Sequence, residues 1–167
     1  AGPLGRPVAL LTFGLQKSYW PGGGEYLLAT NVAIHTCNAL LVFYLCRQLR
    51  MLVGNVDKPS RVDNEFAFIA AAFWAISPIL ASTSLILVQR MTGLAALFVL
   101  LGLLAYLHGY SHFKSHPRRQ LVVQAAILGV ATLLSALSKE NGVLLPSLAF
   151  AVELALLRNT IAAKQYR

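Results

Sequence analysis

Apolar residues run in five long stretches, around 27–46, 66–82, 93–109, 121–137 and 142–157, and each is closed by a short polar, glycine-containing or basic segment. Runs approaching 20 residues are what a hydrocarbon core of about 30 Å demands of a helix rising about 1.5 Å per residue. The pattern predicts an all-α, polytopic transmembrane bundle of about five spans plus a short interfacial helix. Residues 1–26 then form an external or interfacial segment and 158–167 a cytoplasmic tail. The competing reading is a soluble protein with a very large helical core, but five such stretches leave few polar faces for water.

Within these stretches the polar residues are placed selectively. Asn31, His35 and Asn38, at spacings of four and three, share one stripe of the first span. Polar groups in a membrane helix are costly unless they meet protein or a wet cavity, so the stripe is expected to face the bundle, either bonding neighbouring helices or lining a cavity. The second stretch is interrupted by Pro78 and then by Ser82, Thr83 and Ser84. The helix is therefore expected to reach the external surface near Pro78, with the segment up to Gln89 lying at the interface and delivering Arg90 to the external end of the third span.

The chain has 57% hydrophobic and 12% charged residues, which agrees with the membrane reading, and a net charge of +8. That charge is unevenly distributed. Ten of the fourteen Lys and Arg residues lie in the segments after the first and third spans and at the carboxy terminus: Arg47, Arg50, Lys58, Arg61, Lys114, Arg118, Arg119, Arg158, Lys164 and Arg167. By the positive-inside rule these segments are cytoplasmic. Strict alternation then places the other four, Arg6, Lys17, Arg90 and Lys139, on the external side. Most of the positive charge is explained by topology, and no nucleic acid is required.

Other chemistry is thinly represented. Cys37 and Cys46 lie nine residues apart on one expected helix and face away from each other, so they cannot bridge. His108, His112 and His116 recur every four residues, but they sit in a basic loop without a carboxylate or cysteine partner, and Pro117 follows at once; no metal site is assigned to them. A hydrolase nucleophile motif, a phosphate-binding loop and a dinucleotide fingerprint are absent. Tyr19, Trp20 and Tyr26 flank a Pro/Gly turn as an interfacial belt would.

The external set is more specific: Arg6, Arg90, Lys139, Glu140 and Asn141 fall at the mouths of separate spans. In a compact bundle they can converge, and Arg and Lys together would bind a phosphate or diphosphate. Glu140 could orient a basic neighbour, hold a divalent metal or handle a proton; no cofactor is otherwise called for. The alternative is a local Lys139–Glu140 ion pair, with the arginines extending to lipid headgroups.

The runs "GRPVALLTFGL", "NVAIHTCNALLVFYL", "FWAISPILASTSLILVQRMTGLAALFVLLGLLAYL" and "LSALSKENGVLLPSLAFAVEL" resemble, in order and spacing, the membrane portion of bacterial polytopic proteins with tetratricopeptide (TPR) repeats. These are similar to the transmembrane/TPR O-mannosyltransferases and the wider GT-C glycosyltransferases. The resemblance implies a glycosyltransferase of the bacterial inner membrane that takes a sugar from a polyprenyl-phosphate carrier and transfers it outside the cytoplasm. In that picture Arg6, Arg90 and Lys139 hold the phosphate, Glu140 and Asn141 support them, and His35 and Asn38 lie on the inner wall. The class also carries an acidic residue in an earlier external loop, and neither Glu25 nor Glu140 occupies its place. The chain is therefore expected to be an internal piece of a longer protein and not competent alone. A non-catalytic subunit packing through its helices against other membrane protein subunits is the second expectation.

Overall fold

In the computed structural model the described residues are 5–19, 22–54, 56, 58–112 and 117–165; Trp20, Lys114, His116 and Arg167 fall outside them. The described residues form seven α-helices and no strand: α1 (Pro7–Leu15), α2 (Gly24–Gly54), α3 (Arg61–Ile76), α4 (Pro78–Leu85), α5 (Arg90–His112), α6 (Pro117–Ala136) and α7 (Leu145–Gln165), with short 3-10 turns at Lys17–Tyr19, Leu87–Gln89 and Glu140–Leu144.

Three of the described helical segments, Gly24–Gly54, Leu87–Gly109 and Arg118–Ala136, are long and apolar enough to cross a bilayer. That is the character of a membrane protein. The other two expected spans take different forms. Proline supplies no N–H at position 78 and disfavours a helical residue before it, so the second stretch divides into the 16-residue α3 and the 8-residue α4. The fifth begins as the 3-10 turn at Glu140–Leu144 and becomes α7, which carries Glu153, Arg158 and Lys164 along its course.

α5 is central. It packs against α6 on one side and α2 on the other, and α2 packs in turn against α3. The fully covered core, Leu103, Tyr106, Leu107, Leu145 and Ala149, lies where α5, α6 and α7 meet. Gly102 permits this crossing, because a Cβ there would run into the Ala131 methyl and the Leu145 side chain. Outward-facing positions are apolar: Phe66, Phe68, Ile69, Phe73 and Ile76 on α3 are all exposed, as are Leu121, Val122, Val130 and Leu133 on α6. Such a surface matches hydrocarbon and not water.

α3 opens with a capping box. The Asp63 N–H donates to Ser60 Oγ at 3.2 Å, and the Ser60 N–H donates to Asp63 Oδ2 at 3.0 Å. Arg50 Nε of α2 donates to the second Asp63 oxygen at 2.9 Å and ties the two helices at this end. The hydrogen bonds from Ser60, with Arg50 in support, hold the Asp63 carboxyl below the usual range.

Candidate functional site

The end of the bundle where α5 begins collects most of the sequence-predicted residues. Arg90 starts the helix and is only 1% exposed. Among the described residues it has no carboxylate partner, and its hydrogen-bond partners are neutral groups. Its Nε donates to Asn31 Oδ1 (2.8 Å), Nη2 to the Leu27 carbonyl (2.8 Å), and Nη1 to Gln16 Oε1 (2.8 Å) and the Thr12 carbonyl (3.5 Å). The guanidinium also stacks over Phe13, 4.2 Å from the ring centroid. Planar, multiply bonded and stacked, it uses the features that distinguish arginine from lysine. It joins α1 and its capping residue Gln16 to α2 and α5.

Two further cations meet the first turn of the same helix. Arg6, the residue before α1, donates from Nη1 to Met91 Sδ at 2.8 Å and from Nη2 to Glu140 Oε1 at 2.6 Å. Its Nε is buried without a hydrogen-bond partner. Lys139 donates from Nζ to Thr92 Oγ1 at 2.8 Å, and Thr92 donates onward to Gln89 Oε1 at 2.7 Å. Glu140 remains half-exposed, and the Arg6 hydrogen bond, followed by one from its own backbone N–H, holds its carboxyl below the usual range. Asn141 is exposed on the adjoining turn.

Gly142 is what allows this turn to sit so low. A Cβ there would overlap the Ser135 backbone and hydroxyl, so only glycine lets the turn fold back on the end of α6. Ser135 is itself fully buried and donates to the Ala95 carbonyl of α5 at 2.9 Å. The Lys139–Glu140 pair is thereby held over the start of α5.

The polar stripe of α2 occupies a neighbouring position. Asn31 and Asn38 are buried and bridge to α5 and its approach: Asn31 Nδ2 donates to the Ile86 carbonyl (3.2 Å) and Asn38 Nδ2 to the Gly93 carbonyl (3.0 Å). The break at Pro78 leaves carbonyls of the last turn of α3 without helical partners, and His35 Nε2 lies 2.9 Å from one of them, Ala75 O. A carbonyl only accepts, so Nε2 carries the proton in this contact. His35 also stacks on Trp74, with centroids 5.1 Å apart and planes inclined by 20°. These residues, with Gln89 and Thr92, line a cavity of about 60 Å³, into whose wall the unpartnered Asn38 Oδ1 is built.

Arg6, Lys139 and Glu140 thus share one corner with Arg90, and His35 and Asn38 border a small cavity beside it whose lining includes both Arg90 and Thr92. Sequence reading missed Gln16, Thr12, Phe13, Met91 and Thr92. Only Met91 and Thr92 carried a signal, as immediate neighbours of Arg90. Among the described residues no three His, Cys, Asp or Glu side chains gather as they would around a metal ion. No known protein family, characterised protein or solved structure matches this chain.

Proposed function

We propose that this chain is the anion-binding membrane part of a GT-C-like glycosyltransferase, which takes its sugar from a polyprenyl-phosphate carrier on the external face of a bacterial inner membrane. The observation that carries the reading is the meeting of Arg6 and Lys139 on Met91 and Thr92, at the end of the bundle where basic residues are few. Lys139 has an ammonium with three donors and one hydroxyl partner, and each terminal nitrogen of Arg6 has a second N–H beyond the one given to Met91 or Glu140, so both have capacity for phosphate oxygens. Cations fixed there would favour a phosphate leaving group as negative charge develops on it. Arg90 has a different role: its donors are engaged by protein, and it positions the helix whose next two residues receive Arg6 and Lys139.

The five-span topology belongs to the same proposal. α3 with α4, and α7, complete the crossings, because their exposed Phe68, Phe73, Ile79 and Phe150 require hydrocarbon beside them. The amino-terminal segment then lies outside and the carboxy terminus inside.

The test is sugar transfer from a polyprenyl-phosphate donor by the full-length protein carrying Lys139→Ala or Arg6→Ala, with thermal midpoints recorded in parallel. The expected result is a loss of transfer with little change in midpoint. Transfer near wild type in both variants would sink the phosphate assignment. A second reading, a non-catalytic subunit, is favoured by one observation, the Arg6–Glu140 ion pair that already neutralises one of the cations. It predicts no transfer by the wild type and unchanged co-purification with partner subunits in both variants.

A further inference from the structure

At the opposite end of the bundle, α2 and α5 flank a groove of about 440 Å³, bordered by Tyr44, Arg47 and Gln48 on one side and Leu101, Leu104 and His108 on the other. Its lining is divided by chemistry. Toward the bilayer it is apolar, with Tyr44 and Leu101 exposed; toward the helix ends it is polar and basic. None of these lining residues is acidic.

Arg47 distinguishes this groove from the rest of the basic end. Arg50 is paired with Asp63 and Arg61 with Glu65, whereas Arg47 makes no ion pair among the described residues, and its Nε is buried without a hydrogen-bond partner. An acceptor entering the groove therefore meets a guanidinium whose charge no carboxylate among the described residues has taken. Depth fixes where that acceptor comes from. From Leu27, beside Arg90, to Arg47 is an unbroken helical course of 20 residues, or about 30 Å, the thickness of a hydrocarbon core. With Arg90 near one interface, Arg47 stands at the headgroup level of the other, amid Arg50, Arg61, Arg118 and Arg119.

We infer that this groove is a binding site for one anionic phospholipid of the basic-side leaflet: the phosphodiester accepts from Arg47, and the glycerol and upper acyl chain lie against Tyr44, Leu101 and Leu104. Basic pockets between transmembrane helices on the cytoplasmic side suit this chemistry, and the occupant supplies the acceptor that Arg47 lacks. The site lies a membrane thickness from the Lys139 corner and does not depend on the sugar-transfer reading.

The experiment reconstitutes the full chain in nanodiscs of phosphatidylcholine containing a minority of phosphatidylglycerol, and counts retained lipids by native mass spectrometry after gentle extraction. The wild type is expected to retain one phosphatidylglycerol in preference to phosphatidylcholine. Arg47→Gln should lower that preference about fivefold, the effect of one basic residue at an anionic surface, and Arg118→Gln, an equal charge change on an exposed residue, should leave it intact. Leu101→Trp, which narrows the groove without altering charge, should reduce retention even if Arg47→Gln impairs folding. Equal retention of the two lipids, equal losses in Arg47→Gln and Arg118→Gln, or unchanged retention in Leu101→Trp overturns the site. Glycerol phosphate binding as tightly as the lipid would overturn the assignment to a membrane lipid.

Discussion

At the end of the bundle where α5 begins, three basic residues reach partners far away in sequence: Arg90 to Asn31 and Gln16, Arg6 to Glu140, and Lys139 to Thr92. At the opposite end the basic residues are more numerous and their ion pairs are short in sequence range, Arg50 with Asp63 and Arg61 with Glu65 four residues on. A large number of cations on one side orients a membrane protein, because insertion responds to how many there are. A cation held by distant partners does something else: it fixes which segments meet. The few charges on the sparse side therefore contribute more to the architecture than the many on the rich side.

The largest expected effect follows from removing the most connected cation. Arg90→Met keeps much of the volume but leaves Asn31 Oδ1, Gln16 Oε1 and the Leu27 carbonyl without their donor, and should destabilise the protein by on the order of 3 kcal/mol. Arg90→Lys should recover only part, since one ammonium cannot reproduce the fork. Thermal unfolding in detergent measures both, and a melting curve like the wild type's for Arg90→Met would erase the contrast between the two ends.

Gly142→Ala comes next. The added methyl forces the Lys139 turn away from the end of α6, at a cost of about 1–3 kcal/mol. It should also separate Lys139 from Thr92, which can be read as lost crosslinking between cysteines placed at 92 and 139.

A smaller effect depends on pH. Because Asp63 titrates below its ordinary value in the folded protein, its link to Ser60 and Arg50 stabilises above the unfolded carboxylate range of about 4 and is lost as pH falls through the lower folded value. The melting difference between wild type and Asp63→Asn should be full at pH 6 and shrink as pH falls below about 4. A difference that stays constant from pH 6 into strong acid would mean that the contact does not need the charge.

The smallest is Arg61→Ala. This side chain is 91% exposed, and its loss should move stability by less than about 0.5 kcal/mol. A larger loss would show that the rich end also builds the fold.

Much of this arrangement is written in short-range pattern. The break at Pro78, the shared face of Asn31, His35 and Asn38, and Arg90 at the head of a helix follow from missing N–H groups, helical periodicity and the cost of polar groups in hydrocarbon. The partners of Arg90 do not. Thr12 and Leu27 contribute backbone carbonyls, which every residue carries, and Gln16 is an ordinary amide until α1 folds back across α5. Arg6, Arg90 and Lys139 read alike in the sequence for the same reason: composition records a cation, whereas its engagement depends on tertiary neighbours. The five apolar stretches likewise record hydrophobicity but not helix continuity, so α3 and α4 appear as one run in the sequence.

The sequence positions of Arg90's partners also imply an order of assembly. Thr12, Phe13, Gln16, Leu27 and Asn31 all precede Arg90 in the chain. Because synthesis proceeds from the amino terminus, the receptor for this charge has been made before the arginine leaves the ribosome. Arg6, by contrast, waits for Glu140, which is made 134 residues later. The costliest charge to bury is thus never without a host, and the one that must wait is about one third exposed and can remain hydrated. A nascent chain halted shortly after α5 should already protect α1 and the start of α2 from protease, and the Arg90→Met chain halted at the same point should not.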